Sequence, residues 1–145
     1  MATRARIGLQ LKDGSILSVY HHWDGYPQWL GRILETHYDN RSKVSELIDG
    51  GDMSSCWTKD RWTGKQVAPY VIEQKEAEEY GPQHYSQRGE DCPPKLDKNL
   101  DEFLSDGEEY AYVYSSYTGW KAYDTKSWSD TFKQQVDIPC GELAV

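Results

Sequence analysis

The sequence predicts a single α+β domain over residues 1–145, in which an antiparallel sheet built from two β-hairpins carries short helices on one face. Three observations predict it. Ile7, Leu9 and Leu11 alternate with Arg6, Gly8 and Gln10 ahead of Asp13-Gly14, and a second apolar run comes after that turn. Leu30, Ile33, Leu34, His37 and Tyr38 repeat at i, i+3, i+4, i+7 and i+8, the stripe of a core-facing helix. Later, residues 110–114 alternate Tyr with Ala and Val, and residues 120–123 answer them across a short turn.

Each element has a local cause. Asp13-Gly14 is favoured at both central positions of a type I′ turn. A two-residue loop there sets Lys12 opposite Ser15, Leu11 opposite Ile16 and Ile7 opposite Tyr20. Ile7, Leu9, Leu11, Ile16 and Tyr20 then share one face, with Leu17, Val19 and His21 on the other. Pro27 suits the first position of a helix, where a missing N–H costs nothing, with Asp24 or Tyr26 as its cap. Gly31 inside that helix costs roughly 1 kcal/mol against Ala and signals close packing on a neighbour. Ser42 is expected to cap a two-turn helix bearing Val44, Leu47 and Ile48, ended by Gly50-Gly51.

Residues 53–66 read as a loop, and residues 67–72 as a short strand that Pro69 confines to an edge. Pro82, Pro93 and Pro94 break up the acidic segment beyond it. Leu96, Leu100, Phe103 and Leu104 suggest another short helix, with Asp97 near its start and Gly107 at its end. In the polar tail, 124–145, the spacing of Trp128, Phe132 and Val136 suggests a last helix.

Composition narrows the functional classes. The chain of 145 residues is about one domain long. It has six Trp and eleven Tyr against two Phe, so its core relies on rings whose polar ends need partners. No apolar run is long enough for a membrane span and the first residues lack a signal-peptide core, so the cytoplasm is the expected compartment. Cys56, Cys92 and Cys140 are widely spaced, with no Cys-x-x-Cys, which argues against disulfides and thiolate zinc. The net charge is −8. Residues 73–109 carry all of it, with twelve acids against Lys75, Arg88, Lys95 and Lys98. Such a block is either a solvated middle section or an interaction surface.

The densest cluster is Tyr20-His21-His22-Trp23-Asp24-Gly25-Tyr26-Pro27, at the strand-to-helix corner. His22, Asp24 and His37 are candidate metal ligands or acid–base groups. Adjacent histidines on a strand face opposite ways, however, and only one can turn to a given site. The simpler reading is architectural: Asp24 caps the helix while Tyr20, Trp23 and Tyr26 staple it to the sheet, which makes Trp23 a buried ring. Ser54, Ser55 and Cys56 lack the Gly-x-Ser-x-Gly surroundings of an activated nucleophile. Arg88, Glu90 and Asp91 read as an exposed turn near His84 and Tyr85, suited to a partner or to surface ion pairs. Tyr110, Tyr112 and Tyr114 share a strand face near Trp120. They could stack bases, but they come directly after an acidic block, and phosphates require cations. A tyrosine-rich protein-binding surface, or cross-strand packing, fits better.

The box His22-Trp23-Asp24-Gly25-Tyr26-Pro27 resembles that of a family of small phage and prophage proteins of uncharacterised activity. The resemblance continues through Leu30-Gly31, His37-Tyr38, the short helix 44–48, Gly51-Asp52-Met53-Ser54-Ser55, Tyr85, Arg88-Gly89-Glu90-Asp91, Glu109-Tyr110 and Gly119-Trp120. It spans roughly residues 5–123, interrupted by the Trp-rich stretch 56–65. It implies a shared fold and a phage setting, with the host cell cytoplasm as the compartment. It carries no reaction, cofactor or oligomeric state across.

The expected function is therefore that of a small acidic phage-type protein that acts by binding a host protein, as an inhibitor or defence antagonist. Direct nucleic-acid or membrane binding is not expected. The alternative is a metal-assisted hydrolase or small-nucleotide-binding protein centred on His22 and Asp24.

Overall fold

The computed structural model describes residues 3–58, 81–106 and 108–138, without the side chains of Trp57, Thr58 and Arg88. The expected strand at 67–72, most of the Trp-rich stretch, Glu73, Glu76, Glu78, Glu79, Gly107 and Cys140 lie outside the described residues. The chain is α+β, and its described residues form eight strands in one mostly antiparallel sheet. β1 (Ala5–Gln10) and β2 (Ile16–His21) form the first hairpin, and β6 (Tyr110–Ser115) and β7 (Gly119–Asp124) the second. β3 (Met53–Thr58), β4 (Gly81–His84), β5 (Lys95–Asp97) and β8 (Gln134–Val136) complete it. The order is β4-β3-β2-β1-β6-β7-β8, with β5 added to the free half of β2.

The hairpins join through β1 and β6, which run parallel with Ile7 opposite Tyr112 and Leu9 opposite Tyr114. A parallel pair needs a long crossover, and here the whole middle of the chain supplies it. β1 is therefore central, flanked by β2 and β6.

The first hairpin differs from expectation by one residue. Its loop is Lys12-Asp13-Gly14, closed by Leu11 N–H to the Ser15 carbonyl at 2.8 Å. Gly14 alone takes a positive φ, +89°, and Asp13 accepts from the Ser15 backbone N–H at 3.0 Å. This is the three-residue loop with glycine in the left-handed position, where one positive φ suffices. Ile7 consequently pairs with Val19 and Leu9 with Leu17. A one-residue slip turns every side chain to the other face. Leu17, Val19 and His21 therefore lie with Ile7 and Leu9, while Ile16 faces the opposite way, into a second cluster.

Both faces carry helices, not one. The main core packs Ile7, Leu9, Val19 and Tyr112 against Leu30, Ile33, Leu34, Val44, Leu47 and Ile48. Its helices are α1 (Arg32–His37), entered through a turn of π-helix at Pro27–Gly31, and α2 (Arg41–Asp49). Asn40, rather than Ser42, caps α2 by accepting the Lys43 N–H at 2.9 Å. Gly31 has the expected close neighbours, since an added Cβ would lie 3.0 Å from Ile138 and 3.4 Å from Tyr112. On the other face, α3 (Leu100–Leu104), capped by Asn99, sets Phe103 and Leu104 against Ile16, Ala111, Val113 and Tyr123.

Three other expectations change. Residues 53–58 form a strand because β2 and β4 pair with its two edges. Leu96 belongs to β5 and is 59 % exposed rather than part of a helix. Residues 134–136 pair with β7, so Val136 ends in a strand and the Trp128/Phe132 spacing is that of a loop.

Gly8 shows how tightly the second layer sits. A Cβ there would lie 2.6 Å from Ile16 and 3.1 Å from the Phe103 ring. Gly8→Val is expected to cost about 1–3 kcal/mol through overpacking, read as a lowered denaturant midpoint. Unchanged stability would show that α3 does not press on β1.

Candidate functional site

The corner after β2 is held by backbone contacts. Trp23 N–H donates to the Ser54 carbonyl at 3.0 Å, and Gly25 N–H to the Thr3 carbonyl at 2.8 Å. The Gly25 carbonyl accepts the hydroxyl of fully buried Tyr112 at 2.6 Å. Asp24 adopts φ +53°, a conformation that Asp and Asn tolerate better than most residues. Gly25 passes so close to β1 that a Cβ would sit 2.7 Å from that of Ala5 and 2.8 Å from the Thr3 carbonyl oxygen. Tyr26 is the N-cap residue, with no side-chain capping bond, and Pro27 comes next, buried.

Two expectations for the box are corrected here. Asp24 is exposed and does not cap the helix, because its left-handed backbone makes the turn before the cap position. Trp23 is 43 % exposed rather than a core staple, because its backbone bond to Ser54 holds the residue at the rim. Its indole lies edge-on to His22, with centroids 4.6 Å apart. The Tyr20 hydroxyl is hydrogen-bonded to His22 Nδ1 at 2.6 Å. Burial, then the negative charges of Glu108, Tyr85 and Asp52, push the Tyr20 hydroxyl up to about 12.

His21 and His22 face opposite sides, as their adjacency requires. His21 is fully buried, and its Nε2 accepts the Cys56 N–H at 3.1 Å, so the proton sits on Nδ1. Burial, with a smaller effect from His22, lowers its pKa to about 3 and keeps it neutral. His37 ends α1, about 15 Å of helical rise from Pro27. Among the described residues no three of His, Cys, Asp and Glu converge as a metal site would require.

The tyrosine ladder turns inward. Tyr112 is fully buried and Tyr114 is 8 % exposed, so the ladder is core rather than a binding surface. Tyr114 meets Trp120 edge-on at 5.4 Å. Tyr110 is half-buried beneath the Lys126 ammonium, 4.0 Å from its ring centroid. The register of β6 on β1 places this row over the same face as Ile7 and Leu9. Glu90 and Asp91 are exposed after a 3-10 turn, Tyr85–Arg88, that ends at Gly89 with φ +83°.

A carboxyl cluster stands outside every sequence expectation. Asp97 is fully buried beside Asp106, on the face of β2 opposite the main core. Lys95 Nζ lies 2.8 Å from Asp106 and 4.0 Å from Asp97. Arg6 Nε lies 3.7 Å from Asp106 while also donating to Ser18 Oγ at 3.0 Å. Neither Asp97 oxygen receives a hydrogen bond from an N–H or hydroxyl of another described residue. A hydrogen bond to Asp106 is open to it once either carboxyl is protonated. Burial, then that hydrogen bond and the Asp106 charge, raise Asp97 to about 6. Almost no open space adjoins the Arg6 and Asp106 side of the cluster, in a gap of about 140 Å³ with Phe103 and Leu104. The sequence signal is faint, two acids nine residues apart inside an acidic run.

A second such node is Asp124 at the end of β7. It accepts from Ser129 Oγ at 2.6 Å, Lys126 N–H at 3.0 Å and the Thr131 hydroxyl, and pairs with Lys126 Nζ at 3.0 Å. Burial would raise its pKa, but these donors outweigh it and hold the carboxylate well below the usual range. The run Asp-Thr-Lys-Ser-Trp-Ser-Asp-Thr after a strand is a turn signature of this type.

No protein-family model, curated protein or solved structure matches the chain.

The geometry sets the order of two mutational costs. Gly25→Ala is expected to lose about 3 kcal/mol or more of stability because backbone, not a flexible side chain, blocks the methyl group. Trp23→Ala should cost less, about 1 kcal/mol, since its residue is 43 % exposed. Melting curves reporting the reverse order would refute the architectural assignment. Asp97 binds its proton more tightly in the folded protein than in the unfolded chain, because burial and the Asp106 carboxyl raise its pKa. Its stabilising contribution is full below the ordinary value of 3.8 and is lost as pH rises to about 6. Asp97→Asn should therefore add about 1–3 kcal/mol at pH 7–8 and nothing below pH 4. A constant difference across that range would contradict a raised Asp97 pKa.

Proposed function

We propose that the chain is a small acidic binding protein of phage type, directed at a host protein as an inhibitor or defence antagonist. The observation that carries this reading is the loop between β7 and β8. It holds Trp128 73 % exposed and Phe132 39 % exposed, on a scaffold fixed by Asp124. Large rings held outward on an ordered loop are suited to act as anchors in a partner's pockets.

Lys133, next to Phe132, reaches Asp101 on α3 at 3.1 Å, which brings the loop beside an acidic helix. Asp101 and Glu102 are exposed there, and Asp130 lies on the loop itself. Aromatic anchors rimmed by carboxylates fit a basic partner surface, including a groove that otherwise receives phosphates. Glu90 and Asp91 are exposed as well, after β4 at the other edge of the sheet. The phage setting rests on the resemblance of the box, and inhibition rests on the charge.

The test is co-purification from host lysate at low and moderate salt, with the Trp128→Ala/Phe132→Ala protein as control. One protein retained by the parent and lost by the control supports the reading. A folded parent that retains nothing the control does not also retain opposes it. Asp124→Ala should cost about 2–3 kcal/mol by leaving several donors unsatisfied, and weaken capture as strongly as removing Trp128. Full capture by an Asp124→Ala protein would show that the loop is not the contact surface.

A further inference from the structure

The parallel pairing of β1 and β6 sends two loops out from the same end of the sheet: Lys12-Asp13-Gly14 and Ser116-Tyr117-Thr118. Between them and the start of α2 lies a cleft of about 570 Å³. Lys12, Arg41, Ser115, Ser116 and Tyr117 line it together with Gln10. The volume falls within the range of small-molecule sites. It lies at the opposite end of β1 from the box.

The chemistry of the lining is opposite to that of the chain. In a protein of net charge −8, the described residues that line this cleft include two cations and no acid. Asp13 is beside it in sequence, but its carboxylate is engaged by the Ser15 N–H and hydroxyl. Arg41 Nη1 donates to the Gln10 carbonyl at 3.3 Å and Ser116 Oγ at 3.1 Å. Those bonds hold the guanidinium between the end of β1 and the Ser116 loop and leave further N–H donors of its five for a ligand. Arg41 also opens α2, which has no acid in its first turn, so the helix adds positive potential at the same place. Lys12 is exposed and makes no ion pair with another described residue. Tyr117 extends at the edge of the cleft with its ring 98 % exposed, although its backbone N–H is tied to Ser115 Oγ at 3.2 Å.

We propose that this cleft binds a small phosphorylated ligand with a flat ring, of the nucleoside-phosphate class. Arg41, Lys12 and the Ser116 hydroxyl receive the phosphate, in the forked and point-charge modes that suit it. Tyr117 closes over the ring by stacking. The site is independent of the aromatic loop between β7 and β8, and neither assignment requires the other.

Titration calorimetry of the full chain at low salt tests it, with adenosine monophosphate, ribose 5-phosphate, inorganic phosphate and adenosine as probes. Adenosine monophosphate should bind saturably and more tightly than ribose 5-phosphate. Adenosine should bind roughly tenfold more weakly or worse, the loss of about one charge-assisted bond. Lys12→Ala and Arg41→Lys should each weaken the nucleotide, Arg41→Lys by roughly tenfold through loss of the fork. Tyr117→Ala should bring the nucleotide down to the level of ribose 5-phosphate and leave that ligand unchanged. Lys12 and Tyr117 are exposed, so both variants are expected to fold, and melting curves confirm it for each. No saturable binding of any phosphorylated probe overturns the proposal. So does adenosine binding as tightly as its phosphate, or binding that neither Lys12→Ala nor Tyr117→Ala alters.

Discussion

The register of β1 against β2 is the constraint on which the other contacts depend. Side chains alternate along a strand, so the loop that joins the two strands decides which residues become core. Asp13 accepting from Ser15, with Gly14 at positive φ, selects the three-residue loop. That loop joins Leu17 and Val19 to Ile7 and Leu9, and releases Ile16 to meet Phe103. Arg6, Ser18 and Tyr20 then share the second face, where Arg6 meets both Ser18 and Asp106. A two-residue loop would have carried Leu17, Val19 and His21 away from Ile7 and Leu9 and split the main core. Local turn chemistry thus sets the layering of both faces.

β6 transmits this arrangement to the box. Because Tyr112 stands opposite Ile7 in a parallel pair, its ring enters the main core and its hydroxyl reaches the Gly25 carbonyl. A buried phenol requires a partner, and a carbonyl turned inward requires a donor. The corner and the sheet therefore satisfy each other. Gly25 can face Thr3 and Ala5 only because it has no Cβ, and the left-handed backbone of Asp24 delivers the chain to that point. The density of rings in the box suggests packing. Most of its constraint lies instead in backbone geometry, with Trp23 and Asp24 displayed outward.

How much of the fold is legible in the sequence depends on how local each cause is. The α1 stripe, the helix of Val44, Leu47 and Ile48, and the second hairpin depend on nearby residues, and all are readable. The strand at Met53–Thr58 is not, because its Ser, Cys and Trp content resembles a loop until β2 and β4 flank it. Residues 134–136 become a strand for the same reason, through pairing with β7. The inward turn of Tyr112 depends on β1 pairing with β6, a contact across about a hundred residues that no local pattern encodes. Asp97 and Asp106 look like ordinary members of a charged block, since their burial requires β5 to dock on β2. The Lys12 and Arg41 cleft is equally hidden, being assembled from three segments.

The acidic block therefore divides in two, and the division bears on how the protein can recognise anything. Asp97, Asp106 and Glu108 turn toward the sheet and are answered by Arg6, Lys95 and Arg4. Their charge is largely neutralised within the fold and projects little potential outward. Glu90, Asp91, Asp101 and Glu102 are exposed, and Asp101 stands beside the loop that carries Trp128 and Phe132. A partner at this end would meet carboxylates and rings together, which favours a basic surface with apolar pockets. Arg41 and Lys12 stand at the loops beyond β1 and β6, facing a cleft with no acid among its described lining residues. Opposite charges placed on separate surfaces allow two ligands of different chemistry to bind without competing, and the net charge of the chain describes neither surface.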